Sequence, residues 1–190
     1  MRIKSCNSGV ALAEFALILP LLLLFLLGSL EVSRYALINI KLDRTAATMA
    51  DLVTQTTQVT QADLESFAEA APQIMRPFSF NGSSIIFNSV YSLQNPVPPC
   101  DGGAGNTCIA WQYRALGTEQ SRIGVEGGNA TLPGNYNVIL GQNIVTAEVF
   151  ADYSPIIPLT GDLISALAPH TMYKIALFKP RQGNLFNPPL

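Results

Sequence analysis

Histidine occurs once in the 190 residues, tryptophan once and cysteine three times. An active site needs convergent reactive groups. His170, between Pro169 and Thr171, has no second histidine beside it and no serine in a Gly-x-Ser-x-Gly setting to activate. The glycine-rich stretch 102–105 lacks the lysine of a phosphate loop. Asp63, Glu65, Glu69, Asp152 and Asp162 show no calcium-loop spacing and read as solvated faces. Only 13% of residues are charged and the net charge is -2, so there is neither a basic field for nucleic acid nor an acidic tail. These scarcities argue against an enzyme, a cofactor, a metal centre and a nucleic-acid binder.

What the chain does have is one long apolar run. A helix crosses a bilayer with about 20 consecutive apolar residues, and residues 10–30 supply that length with a single charge, Glu14, near the start. No other stretch comes close, so one crossing is expected despite a mean hydropathy of +0.28. An acid at the centre of a membrane helix costs roughly 2.5–3.5 kcal/mol, less near an end, so Glu14 calls for a partner. Pro20 is compatible with a bilayer helix, where a local kink is tolerated. A secretory signal has an apolar core of about 7–15 residues and a small-x-small cleavage site, and this run is longer and holds an acid. An unprocessed signal anchor remains the alternative for this stretch.

The residues before the run carry a more specific pattern. A basic leader with Arg2 and Lys4 ends in Gly9; Glu14 is fifth after that glycine and Phe15 sixth. This arrangement resembles the class III signal of type IVb prepilins and of TadE-like pseudopilins from tight-adherence (Tad, Flp) pilus systems. The stretches 13–20 and 28–31 are also similar to that family. The resemblance implies a cut between Gly9 and Val10 by a membrane-embedded prepilin peptidase, with the hydrophobic helix kept on the mature protein. It also implies that the new ammonium at Val10 is neutralised by Glu14 of a neighbouring subunit, each charge favouring the ionised form of the other in low dielectric.

With the leader assigned in this way, Cys6 is removed and Cys100 and Cys108 remain as an even pair. Two cysteines separated by seven residues, with no histidine nearby, fit no common zinc spacing. A disulfide closing this loop would remove unfolded-state freedom worth roughly 2.6 kcal/mol in the chain-entropy picture, and it requires an oxidising compartment. Arg34, Lys41 and Arg44 follow the span closely and balance Arg2 and Lys4, so the positive-inside count leaves orientation open. The disulfide and the implied cytoplasmic cut both put the N-terminus in the cytoplasm and the remainder in the periplasm, across a bacterial inner membrane.

Beyond the span, Tyr35, Ile38, Leu42, Ala46, Met49 and Val53 recur at steps of three and four, predicting that one helix continues to about residue 53. Thr60 and Asp63 form a capping-box variant for a second helix with Leu64, Phe67, Ala68 and Ala71 buried and Pro72 at its end. From Phe78 the period changes to two. Ile85, Phe87, Tyr91 and Leu93 alternate with Asn88 and Ser92; Ile109, Trp111, Tyr113 and Ala115 with Gln112 and Arg114; Val145, Ala147, Val149 and Tyr153 with Thr146, Glu148 and Asp152. Residues 173–178 read as a last strand. Residues 117–142 read as a long Gly- and Asn-rich loop, 161–167 as a short helix capped by Thr160, and 183–190 as an irregular tail.

The expected fold is therefore α+β and pilin-like: a long N-terminal transmembrane and spine helix, then a second helix packed with a roughly four-stranded antiparallel sheet. The expected parts are a leader at 1–9, a span at 10–30, an amphipathic continuation at 31–57 and a periplasmic domain at 58–190. The resemblance implies a minor pilin or pseudopilin acting in pilus assembly, initiation or a tip complex, and hence adhesion. Its implied partners are the prepilin peptidase, other TadE-, TadF- or TadG-like pilins, and the inner-membrane platform. A membrane-anchored domain that captures a surface ligand is the competing reading.

Overall fold

The computed structural model describes residues 8–92, 107–156 and 167–190. The first element is a helix, α1, Ser8–Thr54, 47 residues long with Pro20 inside it. From Phe15 to Gly28 it carries no polar side chain to compete for its backbone, and in lipid an internally bonded helix satisfies every N–H and C=O. The chain forms two compact units, Met1–Leu37 with Ser154–Pro169, and Ile38–Tyr153 with His170–Leu190, so α1 contributes to both.

In the first unit, the apolar side chains from Val10 to Leu30 all lie open, Leu17 at 80% exposure and Leu12 at 73%. The second unit receives the other part of α1, whose Ile38, Leu42, Ala46, Met49 and Val53 are buried as the helical period predicts. Thr45, Ala50 and Thr54 are buried with them, so the packed stripe is wider than the apolar pattern alone. Thr45 Oγ1 donates to the Lys41 carbonyl at 2.8 Å, which lets a hydroxyl enter the core already satisfied.

Helix α2, Gln61–Glu69, starts with a complete capping box: Asp63 N donates to Thr60 Oγ1 at 3.1 Å and Thr60 N to Asp63 Oδ2 at 3.0 Å. The Thr60 hydroxyl, then its amide, hold the Asp63 carboxyl below its ordinary value. Pro72 does not end this helix. The helix stops at Glu69, and Pro72 lies in the first turn of a further short helix, α3, Ala71–Met75, where a missing N–H costs nothing.

Four strands follow, β1 Ser84–Ser92, β2 Thr107–Leu116, β3 Asn143–Tyr153 and β4 His170–Phe178. They form one antiparallel sheet in the order β2-β1-β3-β4. One face carries Ile85, Phe87, Trp111, Ala147 and Val149, all at most 1% exposed. Helices cover this face: Lys174 of β4 reaches Asp43 of α1 at 3.2 Å, and the Tyr113 hydroxyl of β2 donates to Glu65 of α2 at 2.6 Å. The tail joins them. Leu185 is buried, and its carbonyl accepts from Trp111 Nε1 at 2.8 Å and from Ser89 Oγ at 2.6 Å. Irregular in backbone, the tail is nonetheless fixed across two strands.

The opposite face departs from the expectation of a simple polar row. Residues 117–142, expected as a loop, carry little regular structure beyond the 3-10 turn Pro133–Asn135, yet they cover the sheet. Ile123, Leu132 and Val138 from this segment pack with Val90, Ile109 and Ile144 into a second core. The segment is tied to the sheet edge through Gly127 N to Ile109 O (2.9 Å), Ile109 N to Gly128 O (3.0 Å) and Ala130 N to Thr107 O (2.8 Å). It leaves β2 through Gly117, whose positive φ of 78° and close approach to Ser84 exclude a Cβ. Thr118 N and Glu119 N then both donate to Ser84 Oγ, at 3.0 and 3.1 Å.

Covering this face buries Asn88 and Glu148 completely. The Glu148 carboxylate accepts from Asn88 Nδ2 (3.0 Å), Arg122 N (2.9 Å), the Tyr173 hydroxyl (2.8 Å) and the Ser121 hydroxyl. The Arg122 guanidinium lies over the Tyr173 ring, 4.6 Å from its centroid, and 5.5 Å from that of Phe150. A buried carboxylate is tolerable only when its lone pairs are met in this way. Burial, and next the Glu148 charge, raise the Tyr173 phenol far above its ordinary value of 10.0.

Two outcomes are expected. Glu148→Ala strips four donors of their acceptor and lowers stability by about 3 kcal/mol, read from denaturant unfolding of the full chain in micelles; a loss below about 1 kcal/mol means the clasp is redundant. Because the folded-state pKa of Tyr173 is raised, its contribution is whole below pH 10 and falls as the pH rises beyond, where only the unfolded chain ionises. Tyr173→Phe should therefore flatten the alkaline limb of stability against pH.

Candidate functional site

The residues singled out by the sequence lie on α1. Gly9 sits in its first turn with open space around it. Glycine weakens a helix by about 1 kcal/mol relative to alanine, so Gly9 adds to the fraying of this first turn. Val10 is 61% exposed and Phe15 57%, and Glu14 is exposed too. Val10 and Glu14 are four residues apart and share one helix face. The Cα–Cβ bond of a helical residue tilts toward the N-terminus, so Glu14 leaves the helix on the Val10 side. Phe15 faces elsewhere, one position on.

The helix is long and apolar enough to cross a membrane from Gly9 onward, and the apolar window is wholly unburied within the protein. Ser29 and Ser33 do not break it, because their hydroxyls donate back to the carbonyls of Leu26 and Ser29, both at 2.8 Å. The run ends at a second acid. Glu31 is only 2% exposed. It pairs with Arg34 one turn on at 2.9 Å and accepts from the Ile156 amide at 3.2 Å. The Arg34 guanidinium also donates to the Ser154 carbonyl at 2.9 Å. Within the first unit, then, one ion pair holds the chain just after Tyr153 against the helix. Glu31 was visible in the sequence as part of a family-like stretch; its pairing with residues more than a hundred positions away was not, since nothing in 154–156 announces a partner.

Cys108 is fully buried near the start of β2, and Cys100 lies outside the described residues, as do Thr160 and residues 161–166 of the expected short helix. His170 opens β4 and its ring lies 5.5 Å from that of Tyr153. Among the described residues no three His, Cys, Asp or Glu side chains converge to hold a metal. A hollow of about 430 Å³ beside Phe80, Ser83, Leu116 and Thr118 is lined by apolar groups, hydroxyls and one amide, with no acid, base or thiol.

Residues 9–51 match the family model of TadE-like proteins. The matched segment is α1 almost entire, so the N-terminal helix of this chain is TadE-like over both its apolar part and its amphipathic extension. No curated protein and no solved structure matches the chain.

Removing the Arg34 guanidinium leaves Glu31 buried beside a neutral residue, a strongly unfavourable state. Arg34→Ala is expected to release residues 154–156, seen as hydrogen exchange at the Ile156 amide at least tenfold faster than in the parent, while amides of β1 and β3 keep their protection. Unchanged exchange at Ile156 would show that the pair does not hold the segment.

Proposed function

We propose that this TadE-like chain is a Tad-pilus-associated membrane protein, specifically a minor pilin or pseudopilin that works by assembly and not by catalysis. The observation that carries the reading is the N-terminal helix: a family match over residues 9–51 coincides with a 47-residue helix whose apolar half is wholly unburied and whose outer half anchors a folded domain. Prepilin peptidase cuts between Gly9 and Val10 and leaves Val10 as the mature N-terminus. The protein then stays in the inner membrane as a single-pass subunit with residues 58–190 in the periplasm, where Cys100 and Cys108 are oxidised to a disulfide.

Glu14 supplies the specificity of assembly. In lipid, an exposed carboxylate is costly, and the cheapest partner of matching charge is a Val10 ammonium, which a neighbouring helix presents once its own leader is gone. This pairing fixes the stagger of adjacent helices while close packing of their apolar faces supplies the area. The neighbours are other TadE-, TadF- or TadG-like subunits and the inner-membrane platform. Pilus initiation, a tip complex and adhesion are the roles this placement serves.

The test is the intact mass and N-terminal residue of the protein from its native membrane, with and without reductant. The expected product starts at Val10 and gains two mass units on reduction. A chain that keeps Met1 where the peptidase is present overturns the pilin reading in favour of a plain anchor. For the assembly step, Glu14→Leu is expected to be cut normally yet to be lost from pilus complexes; incorporation equal to the parent would dismiss the charge pairing.

A further inference from the structure

The two outer strands of the sheet are treated differently. The first half of β2 is covered along its free edge by residues 127–130, through three backbone hydrogen bonds and the bridge between Cys108 and Asn129. Among the described residues, strand β4 has no such cover. From Thr171 to Phe178 its backbone bonds only to β3, and among the described residues nothing donates to or accepts from its outward N–H and C=O groups. An open edge is a template for another strand, and proteins blunt such edges with proline, bulges or outward charges. None of these is present. Residues 170–178 contain no proline, and the β3–β4 register runs without a shift, whereas β1–β2 has two. The single charge of the strand, Lys174, is turned to Asp43 at 3.2 Å.

The sequence of the edge also selects its occupant. When two copies of a strand pair antiparallel about a two-fold axis normal to the sheet, residues i and j meet only if both lie on the same face, so the axis passes through a residue. An axis through Lys174 sets lysine against lysine. An axis through Tyr173 sets Thr171 against Ile175 and Met172 against Lys174, and leaves Leu177 and Phe178 unpaired. An axis through Ile175 sets Tyr173 against Leu177 on one face and Met172 against Phe178 on the other, with Lys174 against Ala176. Apolar residues then meet apolar residues on both faces, aromatic rings meet aliphatic chains, and no like charges oppose.

From this self-complementarity we infer that β4 binds β4 of a second copy of the chain, edge to edge about Ile175, so that the two sheets become one. The contact is strand addition, in which main-chain hydrogen bonds supply affinity and the alternate side chains set the register. It is independent of leader cleavage and of Glu14, so it can fail while the pilin reading stands, and the reverse.

The register makes a charge-swap test available at its ends, where Thr171 meets Lys179 of the other copy. Both side chains lie outside the core, and among the described residues the Thr171 hydroxyl bonds Asp152 alone, at 2.8 Å. Sedimentation equilibrium of the full-length protein in micelles should show a dimer. Thr171→Lys, which places like charges at both ends, should weaken it on the order of tenfold, and Thr171→Lys combined with Lys179→Glu should restore it. In parallel, Thr171→Cys treated with a short thiol-to-amine reagent should link to Lys179 in mixtures of isotopically light and heavy protein. The link must join two copies, because the eight intervening steps of one strand span about 26 Å. A monomer throughout, a double variant no better than Thr171→Lys alone, or a Thr171→Cys link to a different protein in native membranes each overturns the proposal.

Discussion

Backbone hydrogen bonding in the apolar run is the constraint on which the rest depends. Water bonds any exposed N–H or C=O, whereas hydrocarbon bonds none, so residues that enter lipid must bond among themselves. A continuous helix meets that demand, and α1 runs as one helix to Thr54. The side chains then decide what surrounds each turn. Up to Leu30 the helix is apolar but for Glu14 and Ser29 and lies open, whereas from Ile38 its buried residues, Thr45 and Thr54 among them, recur at helical spacing and its charged ones keep some exposure. Low overall amphipathicity and local amphipathicity coexist in one element because one part lies open on every side and the other packs against the folded domain along one stripe.

The elements governed by local rules were legible in the sequence. The stripe from Ile38 to Val53, the capping box of Thr60 and Asp63, and the inward parity of Phe87, Trp111, Ala147 and Val149 all follow from periods of 3.6 and 2.0. The antiparallel α+β arrangement followed from strands without helical crossovers between them. Pro72 was misplaced because the same restriction that ends one helix also suits the first turn of the next, and the sequence does not say which.

What periodicity could not deliver was the second core. Residues 117–142 have no period, and Ile123, Leu132 and Val138 are spaced as chance would space them, so their burial is a tertiary fact. The same applies to Glu148. As one polar residue in an alternating strand it reads as facing water, and only the arrival of Ser121 and Arg122 over the sheet converts it into a buried acceptor. At the candidate site the spacing of Gly9, Val10, Glu14 and Phe15 was apparent from the leader pattern, and the helical geometry adds that Val10 and Glu14 share a face. The Glu31 and Arg34 pair was hidden, because an ion pair three residues apart on a helix is common and says nothing of what it holds.

The tail has a consequence for timing. Strands β1 and β2 lie in the middle of the chain, yet Ser89 and Trp111 direct hydrogen bonds to the carbonyl of Leu185, nearly a hundred positions later for one of them. Until Leu185 has been synthesised and delivered, a buried indole N–H and a buried hydroxyl have no acceptor, and the helix-covered face is incomplete. Contacts of such long sequence separation form late. The N-terminal helix, by contrast, is complete after the first quarter of the chain and requires nothing that follows it to satisfy its backbone. Synthesis therefore delivers the whole of α1 first and a domain whose helix-covered face cannot close until Leu185 has arrived.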